Sequence, residues 1–222
     1  MNTAPVTTTA GEAARARYFQ IERARLQSCQ DLALEADTAA RRLLAALELF
    51  DELDEAIGFE QAGSSIVHGF TGHPIPWLQQ RRGQAWGACV AAARHLDVVA
   101  DDLAAAAAVT ADPGRTGHLA RGYAALAAEA RRVVDSHGPG RDGQQVDWAR
   151  VDGITDGLRR VHALDLADAC RDAAATVEAF DRRRAELQAM GMGGQLAAID
   201  TDQGLQASVR QLRALAVQGT TA

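Results

Sequence analysis

Lysine is missing altogether: every one of the 23 basic residues is arginine. That excludes a Schiff-base lysine, a phosphate-loop lysine and a lysine general base. Asparagine occurs once, at Asn2, and aromatic residues make up only 5% of the chain. The bias points to GC-rich coding and hence a bacterial source. The three cysteines, Cys29, Cys89 and Cys170, are odd in number, far apart and each set in a helical pattern. Buried free thiols fit that better than a disulfide or a metal set, and a reducing cytoplasm fits free thiols. Long apolar runs are also lacking. The alanine-rich run Ala104 to Val109 is far too short to span a bilayer. Residues 1–11 have neither the basic start nor the apolar centre of a secretory leader. The expected location is therefore cytoplasmic, with export by a signal-less route left open. A formal charge of −6 argues against a general nucleic-acid coat, though not against a local basic patch.

What the chain has instead is alanine, the best helix former, and a repeating spacing. From Trp86 through Cys89, Ala93, Leu96, Ala100 and Leu103 to Ala107, apolar residues recur in alternating steps of three and four. That is the 3.5-residue repeat of a helix lying along a seam of other helices. A second stripe runs through Tyr18, Ile21, Cys29, Leu32, Ala36, Leu43, Leu47, Phe50, Leu53 and Ile57. Its start is expected near Glu12, with Gly58 as its terminator. Pro74 and Pro76 forbid an ordinary helix across residues 60–76, so the next helix starts around Trp77 with Pro76 in its first turn. Leu119, Tyr123, Leu126, Ala130 and Val133 mark a third helix, ended by His137-Gly138-Pro139-Gly140. Val151, Ile154, Leu158 and Val161 mark a fourth, capped by Asp147. Its pattern continues through Leu166, Cys170, Ala173, Val177, Phe180, Leu187 and Met190. Gly153 and Gly157, four residues apart, weaken this helix and together offer a neighbouring backbone close approach. A last helix or helix pair carries Leu196, Ile199, Leu205, Val209, Leu212 and Leu215, with Gly204 as its break. No segment reads as strand. The predicted architecture is all-α: an elongated bundle of four or five main helices. A single domain covers residues 12–218, with a structured loop at 58–76 and tails at 1–11 and 219–222.

Each cluster of chemistry-bearing residues has an ordinary explanation beside a functional one. Glu48, Glu52 and Glu55 share a helix face, as metal-binding carboxylates of helical bundles do. No glutamate is followed three residues later by histidine, however, so a solvated face is expected. His68 and His73 share the long loop, but two imidazoles are too few for a zinc site; loop packing, with one of them capping a helix end, is expected. His162 with Asp165 and Asp168, and His95 with Asp102, have the spacing of a base and its orienting acid. No nucleophile accompanies either pair. No catalytic residue, metal or cofactor is therefore assigned. Trp77 is followed by Gln79, Gln80, Arg81 and Arg82. An aromatic flanked by arginine is a common interface composition, so Phe70, Trp77 and Arg81 form the predicted contact patch.

Arg132 and His137, with four residues between them, resemble the short motif of the HEPN family of helical proteins, some of which are ribonucleases. The resemblance implies completion of a site by dimerisation. His137 would then act at a 2′-hydroxyl and Arg132 would stabilise phosphate charge. Gly138-Pro139-Gly140 places His137 at a helix end, a departure from the family's helical setting. On the other reading, Arg131, Arg132 and His137 meet the negative end of their own helix. Taken together, the sequence predicts a non-catalytic interaction or assembly protein, such as an adaptor, chaperone or secretion-associated component. Its partner would be a protein or further copies of itself. The alternatives are a small-ligand or metal-binding helical protein, or a helical enzyme such as a HEPN-like ribonuclease.

Overall fold

The computed structural model describes residues 10–63, 69–110, 114–137 and 146–219. Six helices account for nearly all of them, and no strand occurs among the described residues. They are α1 (Ala10–Gln61), α2 (Ile75–Ala108), α3 (Gly114–Ser136), α4 (Trp148–Ala189), α5 (Gly193–Thr201) and α6 (Gln203–Gln218). The fold is all-α, with six helices rather than four or five. Two compact units divide inside α4: one ends at Val161, the other begins at His162.

In the first unit, the pairings across helices give the topology. Asp54 pairs with Arg82, Glu35 with His95, and Val109 accepts a hydrogen bond from Arg25. As the α1 numbers fall, the α2 numbers rise, so α1 and α2 are antiparallel. Asp97 with Arg131, and the Thr110 and Thr116 hydroxyls 3.3 Å apart, make α2 and α3 antiparallel too. Leu126 packs at Gly157 and Gly122 at Val161, which runs α4 back along α3. This is an up-down-up-down four-helix arrangement.

The seam spacing is realised in its core. Cys89, Ala93, Leu96, Ala100, Leu103 and Ala107 are buried, as are all five marker residues of α3 and all four of early α4. Alanine on so many seam positions lets the helices approach closely. Two glycines carry this further. A Cβ at Gly122 would lie 2.5 Å from Val161 Cγ2, and one at Gly157 would lie 2.6 Å from Leu126 Cδ2. Gly153 has open space where its Cβ would be. Only the second member of the predicted glycine pair is therefore a contact.

Several boundaries differ from expectation. Gly58 does not end α1; the helix runs to Gln61, and Gly63 at φ +62° takes the left-handed position after it. A single glycine costs a long, well-packed helix only ~1 kcal/mol, less than its neighbours Ala56 and Ile57 gain by staying buried in helical register. Tyr18 and Ile21 are exposed, 52% and 54%, because Arg25 already reaches the last residues beside α2 and the start of α1 runs past them. Leu166 and Met190 are also exposed.

In the second unit, α4 continues without a break to Ala189. The α5–α6 break falls at Asp202, two residues before Gly204. Its carboxylate accepts from the Leu205 backbone N–H at 3.0 Å, an ordinary N-cap. Ion pairs Arg184–Asp200 and Arg213–Asp181 tie α4 to α5 and α6, and Gly219 lies against Cys170.

Candidate interaction surface

The C-terminal half of α1, the start of α2, the end of α3 and the start of α4 converge at one end of the four-helix unit. The inner layer there is aromatic. Phe50 of α1 lies 5.2 Å, ring centroid to centroid, from Trp86 of α2 and from His137 just after α3. Trp86 and His137 meet edge-on at 4.7 Å. Edge-to-face contact of this kind suits rings whose faces are negative and edges positive. The indole N–H of Trp148 donates to the Asp51 carboxylate, linking α4 to α1. Burial pushes the Asp51 pKa upward, helped by the nearby charges of Glu55 and Asp54, while the Trp148 hydrogen bond acts the other way.

The outer layer is built by a turn. The His73 N–H donates to the Phe70 carbonyl at 3.2 Å, with Gly72 at φ +86° between them. A positive φ at the third position is what a type II turn requires and what glycine supplies. Pro74 then starts α2: its carbonyl accepts from Trp77 and Leu78 N–H at 2.9 and 3.1 Å. Leu78 is fully buried and pins this first turn to the core. Trp77 is left half-buried, with His73 stacked on it at 4.0 Å and an interplanar angle of 17°. Phe70 flanks it at 6.4 Å, and the Arg81 guanidinium lies 5.8 Å from the indole centroid. One turn on, Arg82 pairs with Asp54 and lies 5.9 Å from the Phe50 ring, joining the outer layer to the inner.

Phe70, Trp77 and Arg81 are thus brought together. His73 joins them as a stacking partner rather than a helix cap. The signal for it was available: a histidine four residues before a tryptophan, across a proline turn. His68 lies outside the described residues. Arg132 and His137 have different partners. Arg132 pairs with Glu129, and His137 packs on Phe50 and Trp86 with its Nδ1 buried and without a hydrogen-bond partner among the described residues. Nor do the basic residues cap α3, since Arg131 is held sideways by Asp97. Glu129 takes both Arg132 and Arg150. Burial raises its pKa, but hydrogen bonds from Arg150 and Arg132 outweigh that and the net shift is downward.

Glu48, Glu52 and Glu55 are exposed. His95 faces Glu35 at 3.1 Å rather than Asp102. Asp168 is buried and paired with Arg171. All three cysteines are free and buried, and desolvation pushes Cys89 up to about 12, far from a reactive thiolate. Among the described residues, no group of three or more His, Cys, Asp or Glu is placed to hold a metal ion. A groove of about 440 Å³ in the second unit is lined mostly by apolar atoms of Leu166, Ala167, Cys170 and Ala216, with Arg171 at its edge. No described helix is long and apolar enough to cross a membrane. No protein-family model, curated protein or solved structure matches the chain.

Proposed function

We propose that this protein is a non-catalytic helical interaction or assembly component that engages a protein partner through Phe70, His73, Trp77 and Arg81. The observation carrying this reading is the His73–Trp77–Arg81 stack, a planar aromatic surface with a cation beside it. It stands half-exposed on a helix turn that buried Leu78 holds in place. Aromatic and arginine side chains on a rigid support lose little conformational freedom on binding, and they dominate interface energetics. Among the described residues, the acidic and histidine clusters supply no coherent nucleophile and base, which favours contact over chemistry.

Trp77→Ala tests this. It removes a large contact, expected to cost on the order of 1–3 kcal/mol of partner binding if Trp77 is an anchor. Its effect on folding is smaller, because Leu78 and the core beneath remain. Native affinity purification with mass spectrometry, comparing wild type with Trp77→Ala, reads the first effect, and a thermal melt reads the second. A partner retained equally by both proteins refutes the patch.

A further inference from the structure

The outer face of α1 carries a pattern that the fold does not use. From Arg17 to Glu55 a stripe with steps alternating three and four is exposed at every position. It is about 57 Å long at ~1.5 Å per residue. Its ends are oppositely charged: Arg17, with Arg15 beside it, at the start, and Glu48, Glu52 and Glu55 at the finish. Among the described residues, none of these five forms a salt bridge. These residues lie beyond the first and last turns of α1, where the helix dipole acts. Stabilisation of α1 through its dipole therefore does not account for them.

The stripe can be matched to itself about Leu34. Laid antiparallel on a second copy with the crossing at Leu34, Arg17 falls opposite the partner's Glu52, and Ala24 opposite the partner's Ala45. Leu34 is 68% exposed and has no apolar cover, though it lies in the middle of the longest helix. Ala24 and Ala45, ten and eleven residues away along the same stripe, permit close approach at those positions. Exposed Ile21 falls against the partner's half-buried Leu49. Matching of one patch to itself under a two-fold rotation is the requirement for an isologous dimer. We infer that the outer stripe of α1 is a dimer interface in which two copies of this chain pair antiparallel, crossing at Leu34, with the basic start of each α1 on the acidic finish of the other. This rests on α1 alone and is independent of the Trp77 patch.

Sedimentation and cysteine cross-linking test it on the full chain. Wild type sediments as a dimer at low salt and shifts toward monomer as salt screens the end charges. Reversing one end, by R15E with R17E or by E48R, E52R and E55R, sets like charges opposite one another and weakens association at least about tenfold. Combining both reversals in one chain restores the dimer. Circular dichroism melts check that each variant is folded. In the cross-linking arm, Leu34→Cys links to itself through a short bismaleimide, the native thiols being buried. A mixture of Ala24→Cys and Ala45→Cys chains gives the mixed product. A wild type that is monomeric at low salt overturns the inference. So does a dimer indifferent to end reversal, and so does self-linking of Ala24→Cys, which marks a parallel pair.

Discussion

Before Val161, large side chains such as Leu43, Leu53, Leu96 and Leu103 are sealed from solvent. After it, Leu164, Leu166, Met190, Met192 and Val217 stay exposed, and burial is confined to Cys170, Ala173, Leu187, Val209 and the paired Asp168. Both regions show helical apolar spacing. The difference is how completely the neighbours cover each helix. In the first unit α2 packs on both α1 and α3, so two sides of its stripe are covered. In the second unit α5 and α6 pack on one another, and their markers Leu196, Ile199, Leu205, Leu212 and Leu215 are only half-buried. Periodicity reports which face is apolar; burial depends on what arrives to cover that face.

The same substitution made in both units is expected to separate them most strongly. Leu96→Asp leaves a cavity and puts an unpaired carboxylate at a fully buried site. It is expected to cost about 4 kcal/mol or more, enough to unfold a marginal domain. Leu164→Asp, at a position 53% exposed, is expected to stay within about 0.5 kcal/mol. Urea titrations followed by circular dichroism read both, and equal losses would erase the distinction between the units.

A smaller effect probes how tightly the first unit is packed. Gly122→Ala drives a methyl into the stiff, branched Val161, at an expected cost of about 1–3 kcal/mol. Gly153→Ala, with open space around its Cβ, is expected to stabilise by about 0.5–1 kcal/mol through helix propensity. Opposite shifts in Tm for two glycine-to-alanine changes would show that close approach, rather than helix propensity, governs the α3–α4 contact.

The smallest effect is electrostatic. Asp51 has a raised pKa in the folded state because of burial first and neighbouring acids second. The folded protein therefore holds this proton more tightly than the unfolded chain. The group's contribution to stability falls as pH rises from the ordinary aspartate range through the raised value. Asp51→Asn keeps an acceptor for the Trp148 N–H and removes the charge. Its Tm should be slightly above wild type at neutral pH and equal to it in acid, below both pKa values. A Tm difference that persists in acid would assign the effect to packing instead.

The α2 and α3 seams were readable from spacing alone because neighbouring helices cover their apolar stripes. Helix ends were less legible. Gly58 has the composition of a terminator, yet Ala56 and Ile57 are buried, and packing carried the helix through it. Tyr18 and Ile21 continue the α1 stripe in sequence but run past the end of α2, a mismatch of lengths that periodicity does not encode. At the contact patch, Trp77 and Arg81 were visible as neighbours on one helix. Their link to His73 depends on the backbone turn at Gly72, and the meeting of Phe50, Trp86 and His137 depends on how three helices align. That three-helix meeting comes from tertiary register and leaves no local mark.

The division between units inside α4 has a consequence for the order of folding. A helix is hard to start and easy to extend, since the first turn fixes several residues for one hydrogen bond. Val151, Ile154, Leu158 and Val161 anchor the opening turns of α4 in a well-covered core. The helix then continues unbroken to Ala189. The thinly covered stretch beyond Val161 therefore inherits a nucleus made elsewhere and has only to elongate.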